Sequence, residues 1–64
     1  MVKNRLKELR EKQGIPQSKI AELTGISIEA IRKIENGEEV IVRTGEIVKL
    51  LEFFNVSMSE MFLL

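Results

Sequence analysis

The side chains that carry most acid–base, nucleophilic and metal chemistry are missing from this sequence, which holds no His, no Cys and no Asp. Zinc sites, thiolate nucleophiles, disulfides and imidazole proton transfer are excluded together. Every carboxylate side chain is a Glu. There is no phosphate-binding loop motif and no paired acid/base arrangement beyond ordinary surface Glu, and 64 residues are few to enclose a ligand cleft. The chain is therefore expected not to be an enzyme and to take no cofactor, metal or small-molecule ligand. What remains is the chemistry of fixed charge and of amide and hydroxyl hydrogen bonds. These groups concentrate between Gln17 and Gly37, where Gln17, Ser27, Glu29, Arg32, Lys33 and Asn36 lie among regularly spaced apolar residues.

The elements that must position these groups read as helices. A first helix is expected at about Lys3 to Lys12, apolar at Leu6 and Leu9, with Gly14 as its left-handed terminator. Pro16 suits the start of a second helix, about Gln17 to Leu23. Gly25 supplies the positive φ of a short turn, and Ser27 caps a third helix from about Ile28 to Asn36. Ala21 is the small residue where two helices cross. Ile20, Leu23, Ile26, Ile31 and Ile34 are their inner face. A fourth helix, from Arg43 or Thr44 to Phe54, carries Ile47, Leu50, Leu51 and Phe54 at i, i+3, i+4, i+7. Asn55 ends it, and Ser57 with Glu60 forms the capping box of a last short helix. The expected fold is all-α, one compact five-helix domain over residues 1–64 with a helix-turn-helix at about 17–36.

Gln17-Ser-Lys-Ile-Ala-Glu-Leu-Thr-Gly-Ile-Ser, followed by Ala30-Ile-Arg-Lys-Ile-Glu-Asn-Gly37, resembles the Cro and phage-repressor class of helix-turn-helix domains, the XRE-like family. Leu6-Lys-Glu-Leu-Arg10 resembles that family's first helix, and Phe54-Asn-Val-Ser-Met-Ser-Glu-Met-Phe62 its closing helices. Only Glu38 to Gly45 matches poorly. The resemblance implies a lambda-repressor-like fold and a repressor-like transcriptional regulator. It implies sequence-specific binding of double-stranded DNA by a homodimer on a near-palindromic operator, with the helix at about 28–36 in the major groove.

The family's roles carry over position by position. Gln17 matches a phosphate anchor at the head of the second helix, where it is otherwise a solvated first-turn residue. Ile28, Glu29 and Lys33 match base-reading positions. Lys33 suits guanine O6 and N7, Glu29 cytosine N4, and Ile28 a thymine methyl. Glu29 also favours the positive end of the helix dipole, and Ile28 is also spaced to pack with Ile31. Ser27 and Arg32 suit phosphate. Asn36 and Arg43 match backbone contacts in the following loop, and Asn36 doubles as a helix terminator. Arg10 and Glu35 match a structural pair that ties the first helix to the end of the third.

Two features depart from the family. The loop after Gly37 reads Glu38-Glu39-Val40-Ile41-Val42, whose carboxylates repel phosphate, and the third helix lacks Gln, Asn or Arg at its N-terminal end. They support an alternative, a protein–protein interaction module on the same fold, antitoxin-like or scaffold, with weak or no DNA binding.

Charge distribution and the apolar tail bear on partners. Residues 1–33 hold eight basic and four acidic side chains, and residues 34–64 two basic and six acidic, so the zero net charge is split into +4 and −4. Twelve of residues 47–64 are Ile, Val, Leu, Met or Phe, more than one small monomer readily hides. Phe53, Met58, Met61, Phe62, Leu63 and Leu64 are thus candidates for a dimer surface at about 53–64. Otherwise Phe53, Met58, Met61 and Phe62 cover the core and the last two residues fray. The longest apolar run, Met61 to Leu64, is far short of the roughly 20 residues that cross a bilayer. No signal peptide is apparent, and a cytoplasmic, prokaryotic or phage-type location is expected.

Overall fold

The computed structural model describes residues 4–63 and places five helices. They are α1 Leu6–Lys12, α2 Gln17–Thr24, α3 Ile28–Glu35, α4 Thr44–Phe54 and α5 Met58–Phe62. No strand forms among the described residues, and Val40 to Val42 is loop. No helix among the described residues is long and apolar enough to cross a membrane.

α1 begins later than its apolar pattern suggests. The Asn4 carboxamide oxygen accepts from the Leu6 N–H at 3.1 Å, and Arg5 sits at φ −107°, ψ 13°. A side chain that satisfies a first-turn N–H in this way favours a helix start over a helix interior. Lys3, the expected start, lies outside the described residues.

Each helix contributes its apolar stripe to one core of Leu6, Ile20, Ile26, Ile31, Ile34, Leu50, Phe54 and Met61, all buried. Full burial of each such side chain contributes roughly 1.5–3 kcal/mol. Phe53 packs edge-on against Phe54, with centroids 4.8 Å apart. α2 departs from expectation at Leu23, which is about half exposed, whereas Thr24 is buried. Ile20 and Thr24 lie one turn apart on the inner face. The Thr24 hydroxyl donates to the Ile20 carbonyl at 2.8 Å and accepts from the Ile26 N–H at 3.2 Å. A polar group so satisfied is buried without penalty, and its hydroxyl fastens the turn that an apolar residue would leave untied. Gly25, at φ 80°, donates its N–H to the Ala21 carbonyl at 2.9 Å and reverses the chain toward α3.

The two ends of the domain are stitched together. The Arg5 N–H donates to the Met61 carbonyl at 2.8 Å, and the Asn4 amide to the Ile34 carbonyl at 2.7 Å. The start of α1 thereby holds both α5 and the end of α3. Met61, a candidate for the dimer surface, is instead wholly inside the chain's own core. The α5 turn places it beneath α1, where that backbone bond anchors it.

α5 begins with the capping box read from the sequence. The Ser57 hydroxyl accepts from the Glu60 N–H at 3.1 Å, and the Glu60 carboxylate accepts from the Ser57 N–H at 3.0 Å. The backbone bond from Ser57 holds the Glu60 carboxyl below its ordinary value of 4.5, helped by the Ser57 side chain. A carboxyl whose pKa is depressed by folding stabilises fully above the unfolded value and loses that contribution as pH falls through the folded value. The Ser57 and Glu60 amide resonances should therefore shift together in acid below about pH 4.5. Glu60→Gln should remove that titration, and an unchanged acid profile in the variant would deny Glu60 the role.

Candidate nucleic-acid interface

α3 is held from three sides. At its start the Ser27 hydroxyl accepts from the Ala30 N–H at 3.1 Å. Along its inner face Ile31 and Ile34 are buried. At its end the Glu35 carboxylate is the centre of a polar cluster in which its side chain is only 2% exposed. Arg10 donates to it twice, Nε to Oε2 at 2.6 Å and Nη2 to Oε1 at 3.1 Å, and donates Nη1 to the Ile15 carbonyl at 2.9 Å. The Gln17 amide donates to Glu35 Oε1 at 2.9 Å. The hydrogen bonds that Arg10 donates to Glu35 raise the Arg10 pKa further. α1, the loop before α2, the head of α2 and the end of α3 are thus joined at one carboxylate, which fixes the angle between the two helices of the motif.

With its inner face buried, α3 turns the opposite face outward. Ser27, Ile28, Glu29 and Arg32 are exposed, Ile28 at 50%. Lys33 is half-exposed at the flank, its ammonium 3.8 Å from Glu29 Oε1. That pair is a loose (i, i+4) contact worth a few tenths of a kcal/mol, so Lys33 is released from it at little cost. Beyond α3, Asn36 is exposed and donates to Glu38 Oε2 at 3.3 Å. Arg43 is exposed at the start of α4, where its backbone N–H donates to the Glu46 carboxylate at 3.0 Å. Ser27, Ile28, Glu29 and Arg32 therefore share one open surface, with Lys33 at its side. Gln17, at the head of α2, is half-buried. One of its amide hydrogens is committed to Glu35, which leaves the other and the backbone N–H groups of the first turn for an anion.

Of the apolar C-terminal candidates, Met58 and Leu63 are about half exposed, Phe53 and Phe62 are half-buried, and Leu64 lies outside the described residues. Three contributions have no counterpart in the sequence reading: the Asn4 clasp, the Thr24 turn lock and the Gln17 bond to Glu35. Asn4, two residues before the first helical residue, carries the side-chain signature of a cap and could have been read as one. The bond between Gln17 and Glu35 joins residues 18 apart and has no local signal.

Two short helices crossing at a glycine turn, the second capped, wedged and open along its outer side, make a helix-turn-helix domain. Residues 6–61 match the helix-turn-helix family, and the chain belongs to its Cro and phage-repressor, XRE-like class. It is similar to the HTH-type transcriptional regulator PuuR of Escherichia coli (strain K12), with 40% identity over 58 residues, covering 91% of this chain and 31% of that protein. The HTH-type transcriptional regulator PuuR of Shigella flexneri matches with the same identity and coverage. The chain spans about a third of the length of these curated relatives.

Proposed function

We propose that this chain binds double-stranded DNA sequence-specifically as a homodimer and acts in transcriptional regulation, as a cytoplasmic repressor-like protein without catalytic activity. The observation that carries this is the outward row Ser27, Ile28, Glu29 and Arg32 on a helix whose opposite face is locked by Ile31 and Ile34. A helix presented this way fits the major groove, and two of them in a dimer would lie about 34 Å apart on a near-palindromic site. Arg32 and Ser27 serve phosphates, joined by Asn36, Arg43 and the head of α2 at Gln17. Lys33, Glu29 and Ile28 serve base edges. That the similar proteins are HTH-type transcriptional regulators supports the same reading.

The test is a selection of bound sequences from a random duplex pool at two salt concentrations. Affinity should fall steeply with salt, by a slope near 0.9 for each phosphate contact, and the selected sites should converge on two related half-sites. A flat salt response with no enrichment would end the proposal. Arg32→Ala should weaken all sequences alike and lower the salt slope by about 1. Lys33→Ala should relax preference at one base position at a cost of about 1–3 kcal/mol.

A second reading, a protein-interaction module on the same fold, is favoured by one observation. Glu38, Glu39 and Ile41 stand exposed in the loop where the family places phosphate contacts. A stoichiometric protein partner retained at high salt, with no retained DNA, would select it.

A further inference from the structure

The outer side of α3 offers a carboxylate and an ammonium together. Glu29 lies in the first turn with its side chain 69% exposed, and the side chain of Lys33, one turn on, is 37% exposed. Their charged ends stand 3.8 Å apart. At that distance each charge offsets the other, yet the gap is longer than the roughly 2.7–3.2 Å of a hydrogen bond. Neither group therefore satisfies the other. The carboxylate can only accept and the ammonium can only donate, so the two together present an acceptor beside a donor to whatever lies against α3.

We infer that Glu29 and Lys33 act as one reader of a single G·C base pair, the carboxylate accepting from cytosine N4 while the ammonium donates to guanine O6 and N7. In the major groove a G·C pair presents the two guanine acceptors side by side, with the cytosine amine next to them. O6 and N4 are hydrogen-bonded to each other across the pair, about 2.9 Å apart. Two groups held 3.8 Å apart span that spacing with a small adjustment. An A·T pair also sets a donor beside an acceptor, but its amine lies between adenine N7 and thymine O4. The ammonium then meets one acceptor where guanine gives it two. The order of acceptor, acceptor and donor also separates G·C from C·G, because the ammonium must lie on the guanine side. Pairing explains how a carboxylate enters a groove lined by phosphates, since Lys33 brings the charge that offsets it. This rests on the DNA reading above and narrows it, from two residues that each serve a base edge to one shared contact at one position.

Duplexes built from the selected site, with each position of one half-site changed in turn, test this on the wild type, Glu29→Ala, Lys33→Ala and the double variant. The wild type should prefer G·C to A·T at one position by roughly ten- to a hundredfold, the discrimination of a good bidentate contact. Both single variants should lose their preference at that same position and keep it elsewhere. Lys33→Ala should bind the G·C duplex severalfold more weakly than the double variant, because on its own it leaves the Glu29 carboxylate facing guanine O6 without a cation. Residues that share one contact are coupled in this way, whereas independent ones add. All four proteins should keep the wild-type helical circular dichroism, since neither side chain is buried. Preferences lost at two different base pairs, additive losses in the double variant, or a Glu29→Ala that keeps every preference would each overturn the inference and leave the DNA reading in place. A wild type with no salt-dependent enrichment for any duplex ends both.

Discussion

Glu35→Ala is expected to destabilise the domain by about 3–5 kcal/mol, the cost of leaving a buried charge without its partner. The Arg10 side chain is 15% exposed and that of Glu35 2%, and the carboxylate accepts from Arg10 Nε, Arg10 Nη2 and Gln17 Nε2. Alanine removes all three hydrogen bonds at once. The guanidinium cannot escape by losing its proton, because its pKa lies far above any physiological pH. It retains only the Ile15 carbonyl. A domain of this size has a total stability of roughly 3–10 kcal/mol, so the loss takes much or all of it. Urea unfolding followed by circular dichroism should show the midpoint fall steeply or the transition vanish. Arg10→Met combined with Glu35→Leu, which removes both charges and keeps the volume, should recover a large part of the loss. A change below about 1 kcal/mol in Glu35→Ala would mean that the cluster is solvated in solution and does not fix the angle of α3.

Glu35 also shows where the sequence speaks and where it falls silent. The five helices follow from local signals: apolar spacing, the Ser27 and Ser57 caps, and residues at Gly25 and Asn55 that accept a left-handed backbone. Each acts within one turn of its own position, so the pattern alone exposes it. Only family likeness suggests the pairing of Arg10 with Glu35, because 25 residues separate them and nothing local links them. Gln17's share in the same cluster was hidden for that reason. Hydropathy places Leu23 on the inner face, because it values the apolar surface of Leu and ignores that a Thr hydroxyl can satisfy itself on Ile20 and Ile26. The outward row of α3 was legible because it is the complement of the buried pair Ile31 and Ile34 on one short helix. The apolar hollow walled by Ile34, Val42, Ile47 and Phe62 was not, since it is made by α3, the loop, α4 and α5 together.

Met61→Ala should cost about 2–5 kcal/mol, the range for truncating a large side chain in a packed core. An apolar C-terminus suggests a surface for a second copy, and a residue there would lose stability only as far as the dimer forms. Met61 has no exposed area in the single chain. Its truncation leaves a cavity against Leu6 and the rest of the core whatever the state of association. The Arg5 N–H bond to the Met61 carbonyl survives the substitution, because it uses backbone only. The loss is therefore one of packing and not of the stitch. α5 has five residues, too few to be helical without its docking contact. The first consequence should be release of α5, with Phe62 leaving its half-buried position, ahead of global unfolding. Hydrogen exchange should show the α5 amides losing protection more than those of α3, and urea midpoints should fall by the same amount at low and high protein concentration. A deficit that disappeared on dilution would return Met61 to an intermolecular surface and take the single-chain core apart at that corner.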